Sequence, residues 1–207
     1  MADPTLSGHR GVVILAGPSG AGKSRLAERL ALPVLRLDDF YREAGEDGLP
    51  LITSGANAGL VDWDHPDSWD ADAAVAALSE LCRTGSTTVP EYDISLSART
   101  GSRTVDLGEA RHFVAEGIFA PQVVQTCARL GILTAAYCIT QHPLITFWRR
   151  LTRDLGEHRK PPAVLVRRGW ALMRAQRKVV ADAVGHGCRP ATGDRAYEEL
   201  SARLSAR

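Results

Sequence analysis

Short apolar runs alternate along this chain with longer stretches in which apolar residues recur every three or four positions. Runs that are apolar without interruption are typical of strands buried on both faces of a sheet. On that basis the sequence predicts strands at residues 11–16, 34–37, 111–115 and 132–139, with a short extended segment at 87–93.

The helical spacing is clearest after Asp70, where the apolar positions from Ala71 to Cys82 keep a helical period and Gly85 follows. We expect Ser68 or Asp70 to cap this helix. Further helices are predicted at 24–31, 121–130, 142–160, 164–184 and 194–204. Because strands alternate with helices, the sequence predicts an α/β fold, a three-layer α/β/α sandwich with a parallel sheet.

Residues 42–62 follow neither the strand period nor the helical period. They contain four glycines and one proline. The segment is predicted to be an irregular loop, and we interpret it as a candidate flap over a binding site.

The composition bounds the class of protein. At 207 residues, 44% of them hydrophobic, the chain can bury one substantial core, and we treat residues 1–207 as a single domain. Its four cysteines lack a C-x-x-C pair, which favours reduced thiols over a disulfide framework or a zinc site. No run approaches the roughly 20 apolar residues of a membrane span, and the N-terminus lacks a secretory pattern. These features predict a cytoplasmic protein without a membrane partner.

A net charge of +1 hides two regions of opposite charge. Between Asp38 and Glu80 there are eleven acidic residues and one basic residue, whereas between Arg149 and Lys178 there are ten basic residues and two acidic ones. The first region suits metal ions and hydroxyl groups, and the second suits phosphate. The charge is not spread as a broad basic surface, and aromatic residues are not interleaved with it. Nucleic acid is therefore not an expected partner.

Residues 17–24 match the pattern G-x-x-x-x-G-K-[ST] between a predicted strand and a predicted helix. Glycines let the backbone approach a phosphate closely, and the first N–H groups of the helix have no internal partner and face the anion. Lysine supplies positive charge to the β and γ phosphates, and the serine hydroxyl suits Mg²⁺. The predicted nucleotide-binding residues are Gly17, Ser19, Gly20, Ala21, Gly22, Lys23 and Ser24.

Two acidic residues follow predicted strands directly. Asp38 comes after the strand at 34–37, and Glu116 comes after the strand at 111–115. Ligands of open α/β sheets collect at the carboxyl ends of the strands. Both carboxylates are therefore candidates for chemistry, Asp38 foremost.

Several separated stretches resemble the uridine kinase branch of the uridine kinase and phosphoribulokinase family of P-loop kinases. The resemblance covers about residues 11–160. Besides the loop, the stretches that resemble family motifs are Asp38-Asp39-Phe40-Tyr41, Trp63-Asp64-His65-Pro66-Asp67, Pro90-Glu91-Tyr92-Asp93 through Arg99, Glu116-Gly117-Ile118 and Arg149-Arg150-Leu151-Thr152-Arg153-Asp154.

The resemblance implies a kinase that uses ATP, or alternatively GTP, with Mg²⁺ to phosphorylate the 5′-hydroxyl of a nucleoside such as uridine or cytidine. It implies that Asp38 is the general base and that Lys23 and Arg153 are also catalytic. The implied magnesium ligands are Ser24, Asp38 and Glu116. The implied substrate-binding residues are Tyr41, Trp63, Asp64, Tyr92, Arg99, Arg150 and Lys160, of which the last two belong to a helical lid at about residues 149–162.

The sequence departs from the family where the base of the nucleoside is read. Ser97 and Ile94 stand in place of a histidine and a phenylalanine, and His158 and Lys160 stand where the lid has arginines. A serine is shorter than a histidine, and an isoleucine cannot stack on a pyrimidine as a ring does. The acceptor stays open between a nucleoside and another polyol, vitamin or sugar phosphate. A third alternative is a nucleotide-gated binding module, and a homo-oligomer is also open.

The main site residues also have structural alternatives. Asp38 could cap a turn after its strand, and Asp64 could form an Asx-turn before Pro66. Glu116 could serve only a helix dipole, and the lid arginines could form a solvated basic face. Trp63 and Trp69 are interpreted as packing residues rather than stacking platforms.

Overall fold

The structure of the protein, a computed structural model, describes residues 10–55, 57–142, 144–148, 152 and 176–205. Within them the strands are β1 (Gly11–Ala16), β2 (Val34–Arg36), β3 (Ser86–Asp93), β4 (Ala98–Asp106), β5 (His112–Glu116), β6 (Leu133–Ile139) and β7 (Arg189–Ala191). The α-helices are α1 (Lys23–Leu30), α2 (Ala71–Thr84), α3 (Val124–Arg129), α4 (144–148), α5 (176–185) and α6 (Gly193–Ser205). Short 3-10 helices lie at Leu37–Phe40, Pro66–Ser68 and Ala120–Val123.

Among the described strands, five form a parallel sheet in the order β2-β5-β1-β6-β7. β1 is buried along its whole length and pairs with β5 on one side and β6 on the other. Glu116, at the end of β5, pairs with Leu15 of β1 and with Arg36 of β2. Because the strands are parallel, the segments that follow β1, β2 and β5 emerge at the same edge of the sheet.

Alternate residues of β1 belong to two different cores. Val12 and Ile14 pack in one cluster with residues of α2 and α3, whereas Val13 and Leu15 pack in a second cluster with residues of α1 and α6. A strand whose side chains alternate between two helical layers lies in the middle layer of three. The predicted three-layer α/β/α sandwich with a parallel sheet is thus confirmed.

One part of the architecture was not predicted. β3 and β4 form a separate antiparallel hairpin, in which Ser86 pairs with Asp106 and Asp93 pairs with Ala98. Residues 87–93 were predicted as an extended segment, but β4 was missed and only a parallel sheet was expected. The reason lies in the sequence of β4, in which Val105 is the only buried residue, so no apolar alternation marks it as a strand.

The ends of the elements follow local chemistry. Asp70 caps α2, since its Oδ1 accepts a hydrogen bond from the N–H of Ala73 at 2.9 Å, and Gly85 ends the helix with a φ of 86°. The predicted helix at 121–130 begins as a 3-10 turn with a proline in it. β7 was missed because its three residues include only one buried apolar side chain, so no apolar run marks it. The described residues between 42 and 62 form no helix or strand, as predicted, apart from an isolated bridge between Leu51 and Val61.

The structure describes little of the predicted lid, and it also bears on the membrane prediction. Of the predicted lid at about 149–162, the structure describes only Thr152, whose hydroxyl donates to the Trp148 carbonyl at 3.0 Å. Within the described part of the chain, no helix combines the length and the apolar character needed to cross a membrane.

Candidate active site

The loop between β1 and α1 is shaped by glycines. Gly17, Gly20 and Gly22 all have positive φ angles, of 126°, 87° and 102°. A Cβ on Gly17 would collide with the carbonyl oxygen of Ile139 in β6, so only glycine fits at the start of the loop. The backbone thus forms a cradle that a side chain would fill, and the residues present fit a bound phosphate chain.

Lys23, the first residue of α1, turns back over the loop. Its Nζ donates to the carbonyl oxygens of Gly17 at 2.8 Å and Pro18 at 3.4 Å. The loop is closed by a turn in which the N–H of Ala21 donates to the Pro18 carbonyl at 3.1 Å. The ammonium group is therefore held at the mouth of the cradle, and Ser19 and Ala21 lie within the same loop.

Ser24 and Glu116 meet although 92 residues separate them. The Ser24 hydroxyl donates to Glu116 Oε1 at 3.0 Å and lies 3.3 Å from Oε2. Ser24 is in the first turn of α1, and Glu116 is the last residue of β5. Two of the three predicted magnesium ligands are thus in direct contact at the carboxyl edge of the sheet.

Asp38, the third predicted ligand, lies in the 3-10 turn after β2. Its Oδ1 accepts a hydrogen bond from the backbone N–H of Ile118, two residues beyond Glu116, at 3.0 Å. A Cβ on Gly117 would come within 2.7 Å of the same oxygen, so the glycine permits this close approach of the two segments. The carboxylate is therefore held beside the end of β5.

Burial raises the pKa of Asp38 above its ordinary value, because desolvation disfavours the charged form. The hydrogen bond from Ile118 and the positive charges of Lys23 and Arg36 act in the opposite direction, and the negative charge of Asp39 acts in the same direction as burial. A carboxyl group with a raised pKa near a lysine suits proton transfer.

The oxygen donors of this site fit Mg²⁺ that is bound together with phosphates and water. Among the described residues, no group of three or more His, Cys, Asp or Glu side chains could hold a metal ion by itself. Mg²⁺ in phosphate-transfer sites is usually bound by one or two carboxylates together with phosphates and water. The hydroxyl of Ser24 and the carboxylates of Glu116 and Asp38 match that requirement.

An aromatic cluster lies beside the Asp38 turn. The ring of Tyr41 packs at 6.0 Å from Trp63, 5.5 Å from Tyr92 and 5.6 Å from Phe119. The Tyr41 hydroxyl donates to the Trp63 carbonyl at 3.2 Å. Burial raises the pKa of Tyr41, and the charges of Asp38 and Asp64 add to the rise, which brings both acids into the electrostatic surroundings of this ring.

The outer edge of the cluster is formed by the hairpin. The Tyr92 hydroxyl donates to the Arg42 carbonyl at 3.1 Å, and the N–H of Ala44 donates to the Ser97 carbonyl at 2.8 Å. The backbone N–H of Arg99 donates to Glu43 Oε1 at 3.2 Å, and its side chain is exposed. The hairpin and the start of the 42–62 loop therefore pack together.

The remaining predicted residues differ in their surroundings, and some lie outside the described part of the chain. Asp64 is exposed, and its N–H donates to Asp62 Oδ1 at 3.2 Å, so an Asx-type turn is formed but with Asp62 as the acceptor. Trp69 is buried, and its indole N–H donates to the Leu37 carbonyl at 2.7 Å, which agrees with a packing role. Three predicted site residues, Arg150, Arg153 and Lys160, lie outside the described residues.

The structure adds three residues that sequence reasoning missed, Asp39, Arg103 and Arg42. Asp39 is buried, and its carboxylate pairs with Arg103 of β4 at 3.1 Å. Arg42 organises the loop, since its guanidinium donates to the carbonyls of Asp47 at 2.6 Å and Asp67 at 3.2 Å and pairs with Glu46 at 3.0 Å. The sequence did carry a signal for Arg42, which is the one basic residue in the acidic region between Asp38 and Glu80. Nothing in the sequence marked Arg103.

A cavity of about 510 Å³ lies between α2 and the hairpin, away from the loop at 17–24. Its lining comes from α2, β3 and the Asp38 turn, and Arg99 is the predicted site residue that it shares. The chemistry described above is better placed at the carboxyl edge of the sheet, where the phosphate cradle and both carboxylates converge.

The chain is similar in sequence to several known proteins. The chain is 25% identical over 154 residues to a uridine kinase of Lactobacillus helveticus (strain DPC 4571), a match that covers 70% of this chain and 68% of that protein. It is 31% identical over 114 residues to the inorganic pyrophosphatase TTM2 of Arabidopsis thaliana, which covers 53% of this chain but only 15% of the plant protein.

Among solved structures, a protein named as a candidate fructose transport system kinase from Silicibacter sp. TM1040 matches with a TM-score of 0.58. The identity is 18%, over 93% of this chain and 91% of that chain, so this likeness bears on the fold alone. No protein-family model matches the chain.

Proposed function

We propose that this chain, which is similar to uridine kinases, is an ATP-dependent kinase that phosphorylates a hydroxyl group of a small molecule, in the first place the 5′-hydroxyl of a nucleoside. The observation that carries the proposal is the convergence of Lys23, Ser24, Glu116 and Asp38 at one edge of the sheet. A phosphate cradle, a metal-binding pair and a base are the parts that phosphoryl transfer needs.

Asp38 is proposed as the general base. As the acceptor oxygen bonds to the γ-phosphorus of ATP, the bridging bond to the β-phosphate breaks, ADP leaves, and the hydroxyl proton passes to the Asp38 carboxylate. The Ile118 N–H fixes one carboxylate oxygen, which leaves the other for the substrate hydroxyl. Lys23 would neutralise negative charge on the phosphates, and Arg153 from the basic segment would neutralise more of it.

Ser24, Glu116 and Asp38 are proposed to hold Mg²⁺, directly or through water. When bound, the ion would neutralise charge on the β and γ phosphates. The Ser24–Glu116 contact would orient both oxygens toward it.

The acceptor is proposed to bind against the aromatic cluster. Tyr41 and Tyr92 would flank it, Trp63 would close one side, and Asp64 would accept hydrogen bonds from its hydroxyl groups. Arg150 and Lys160, which belong to the basic segment of the sequence, are proposed to contact the transferred phosphate. Arg99 would support the pocket from the hairpin.

A second candidate acceptor is a polyol without a pyrimidine base, and two observations favour it. The rings of Tyr41 and Tyr92 already pack against each other, with centroids 5.5 Å apart and planes tilted by 32°. Each ring therefore covers a face of the other on which a pyrimidine base could otherwise stack. Ile94 is 63% exposed at the hairpin tip, where the resembled family has an aromatic ring.

The test is ATP-dependent product formation with a panel of nucleosides and polyols, followed by product mass. Asp38→Asn keeps an oxygen for the Ile118 N–H but loses the base, so we expect a loss of rate of about 100-fold or more. Asp72→Asn, an exposed residue in the first turn of α2, is the matched control. The proposal fails if no acceptor yields product, or if Asp38→Asn behaves as the control does.

A further inference from the structure

Asp39 is a deeply buried acidic side chain. It is 2% exposed and belongs to the same 3-10 turn as Asp38. A charge so deeply buried needs a partner, because leaving it unpaired forfeits its solvation. Its Oδ2 lies 3.1 Å from the guanidinium of Arg103, while Arg36, which is 58% exposed, lies 3.8 Å from Oδ1.

Arg103 stands on the inward face of the hairpin. Within β4, Val105 is buried two residues further along, and side chains two apart point to the same face. Arg103 pairs across the hairpin with Val89, which is also buried. Beyond this point, toward the tip, the same face of β4 carries Gly101, which has no side chain to pack.

Apart from the backbone bond from Ala44 to Ser97 at its tip, the hairpin is held in position largely by contacts that involve side chains. Among the described residues, β3 and β4 share no backbone pairing with the five-stranded sheet. A two-stranded hairpin is only marginally stable by itself. Val89 and Val105 anchor its base, but Tyr92 and Arg99 lie nearer its tip.

We propose that Arg103 is a positioning residue, which acts through the buried carboxylate of Asp39 to hold the acceptor side of the site in register with the turn that carries Asp38. Asp39 and Asp38 are adjacent in one short turn, so a displacement of one moves the other through a single peptide unit. The ion pair therefore joins the acceptor-binding hairpin to the base. This inference rests on the proposed function only for its kinetic consequences.

The first measurement needs no substrate. Amide hydrogen exchange of the full-length chain is compared for wild type, Arg103→Met, Asp39→Asn, the double variant and Arg103→Lys. We expect Arg103→Met to speed exchange at residues 37–41 and 98–103 by about tenfold. Arg195→Met is the control, since that exposed arginine pairs with Glu199 on α6 and Glu199 keeps Arg189. Exchange no faster than in the control overturns the proposal.

The second measurement separates positioning from folding. With any acceptor that wild type phosphorylates, Arg103→Met should raise the acceptor KM about tenfold while the KM for ATP changes less than twofold. Arg103→Lys should restore part of the loss, and the double variant should be less impaired than the two single variants predict together. Equal changes in both KM values, or additive losses, overturn the proposal.

The two arms fail separately from the proposed function. If wild type phosphorylates no acceptor, the proposed function fails, but the exchange data still decide whether Arg103 holds the Asp38 turn. If Arg103→Met does not fold, Arg103→Lys and the double variant carry the same comparison, because neither leaves an unpaired buried charge.

Discussion

Gly117 lies where the end of β5 approaches the turn that carries Asp38, and adding one methyl group there tests the proposed base. A Cβ at this position would meet Asp38 Oδ1 at 2.7 Å, Leu37 Cβ at 2.9 Å and the Asp38 backbone nitrogen at 3.3 Å. Ordinary van der Waals contact begins at 3.4 Å, so the carboxylate and the main chain must both give way. Gly117 has no positive φ, so the effect of Gly117→Ala is steric rather than conformational.

The expected result follows from the size of that displacement. Moving Oδ1 from 2.7 Å to 3.4 Å shifts the base by a large part of an ångström, which for a misplaced catalytic group lowers the rate by about 10- to 100-fold. Overpacking beside Leu37 should also lower the free energy of unfolding by about 1–3 kcal/mol. The KM for ATP should change little, because the glycines of the phosphate cradle are not touched.

The assay is steady-state phosphate transfer with urea denaturation of the same preparations. Gly185→Ala is the matched control, since a Cβ there meets nothing within 4 Å and the residue lies at the end of α5. A folded Gly117→Ala protein whose kcat is within twofold of Gly185→Ala would refute the placement of Asp38 at the reacting hydroxyl.

Three further predictions use other contacts. Since burial raises the pKa of Asp38 and the base works deprotonated, kcat/KM should fall with decreasing pH already above the ordinary pKa of 3.8. Asp38→Asn removes a poorly solvated charge, so it should raise the unfolding temperature at pH 7. An equal or lower unfolding temperature would contradict this. Glu116→Gln should raise the Mg²⁺ concentration for half-maximal rate about tenfold, and an unchanged titration would remove Glu116 from the metal site. Trp69→Phe loses the bond to the Leu37 carbonyl and should cost about 1–3 kcal/mol in urea unfolding, unlike Trp148→Phe at a 60% exposed position.

The arrangement of the candidate phosphate-binding residues could be predicted from sequence because each part follows a strongly patterned element. The loop at 17–24 follows β1, Asp38 follows β2 and Glu116 ends β5, and parallel strands bring such ends together. Their joint position needed only the strand order that α/β folds commonly adopt. The Ser24–Glu116 contact is a consequence of that arrangement.

The proposed acceptor side could not be predicted to the same depth, because its parts are held by contacts rather than by a periodic pattern. β4 has a mostly polar sequence, so neither the hairpin nor the inward direction of Arg103 was visible. Two described parts of the segment between Tyr41 and Asp70 are joined by the Arg42 side chain, which donates hydrogen bonds to the carbonyls of Asp47 and Asp67. Such side chain to backbone bonds depend on the folded path of the loop.

The adjacent carboxylates of Asp38 and Asp39 lie in different environments, which suit them to different roles. Asp39 is buried against Arg103, so its charge is balanced by an arginine and it has no access to a substrate. Asp38 is fixed by a single N–H from Ile118, and burial raises its pKa. A base must both hold and release a proton, which an acid committed to an arginine does poorly. Of the two acids that follow β2, Asp38 therefore has the environment that better suits the proposed base, and Asp39 is the one proposed to hold the hairpin beside it.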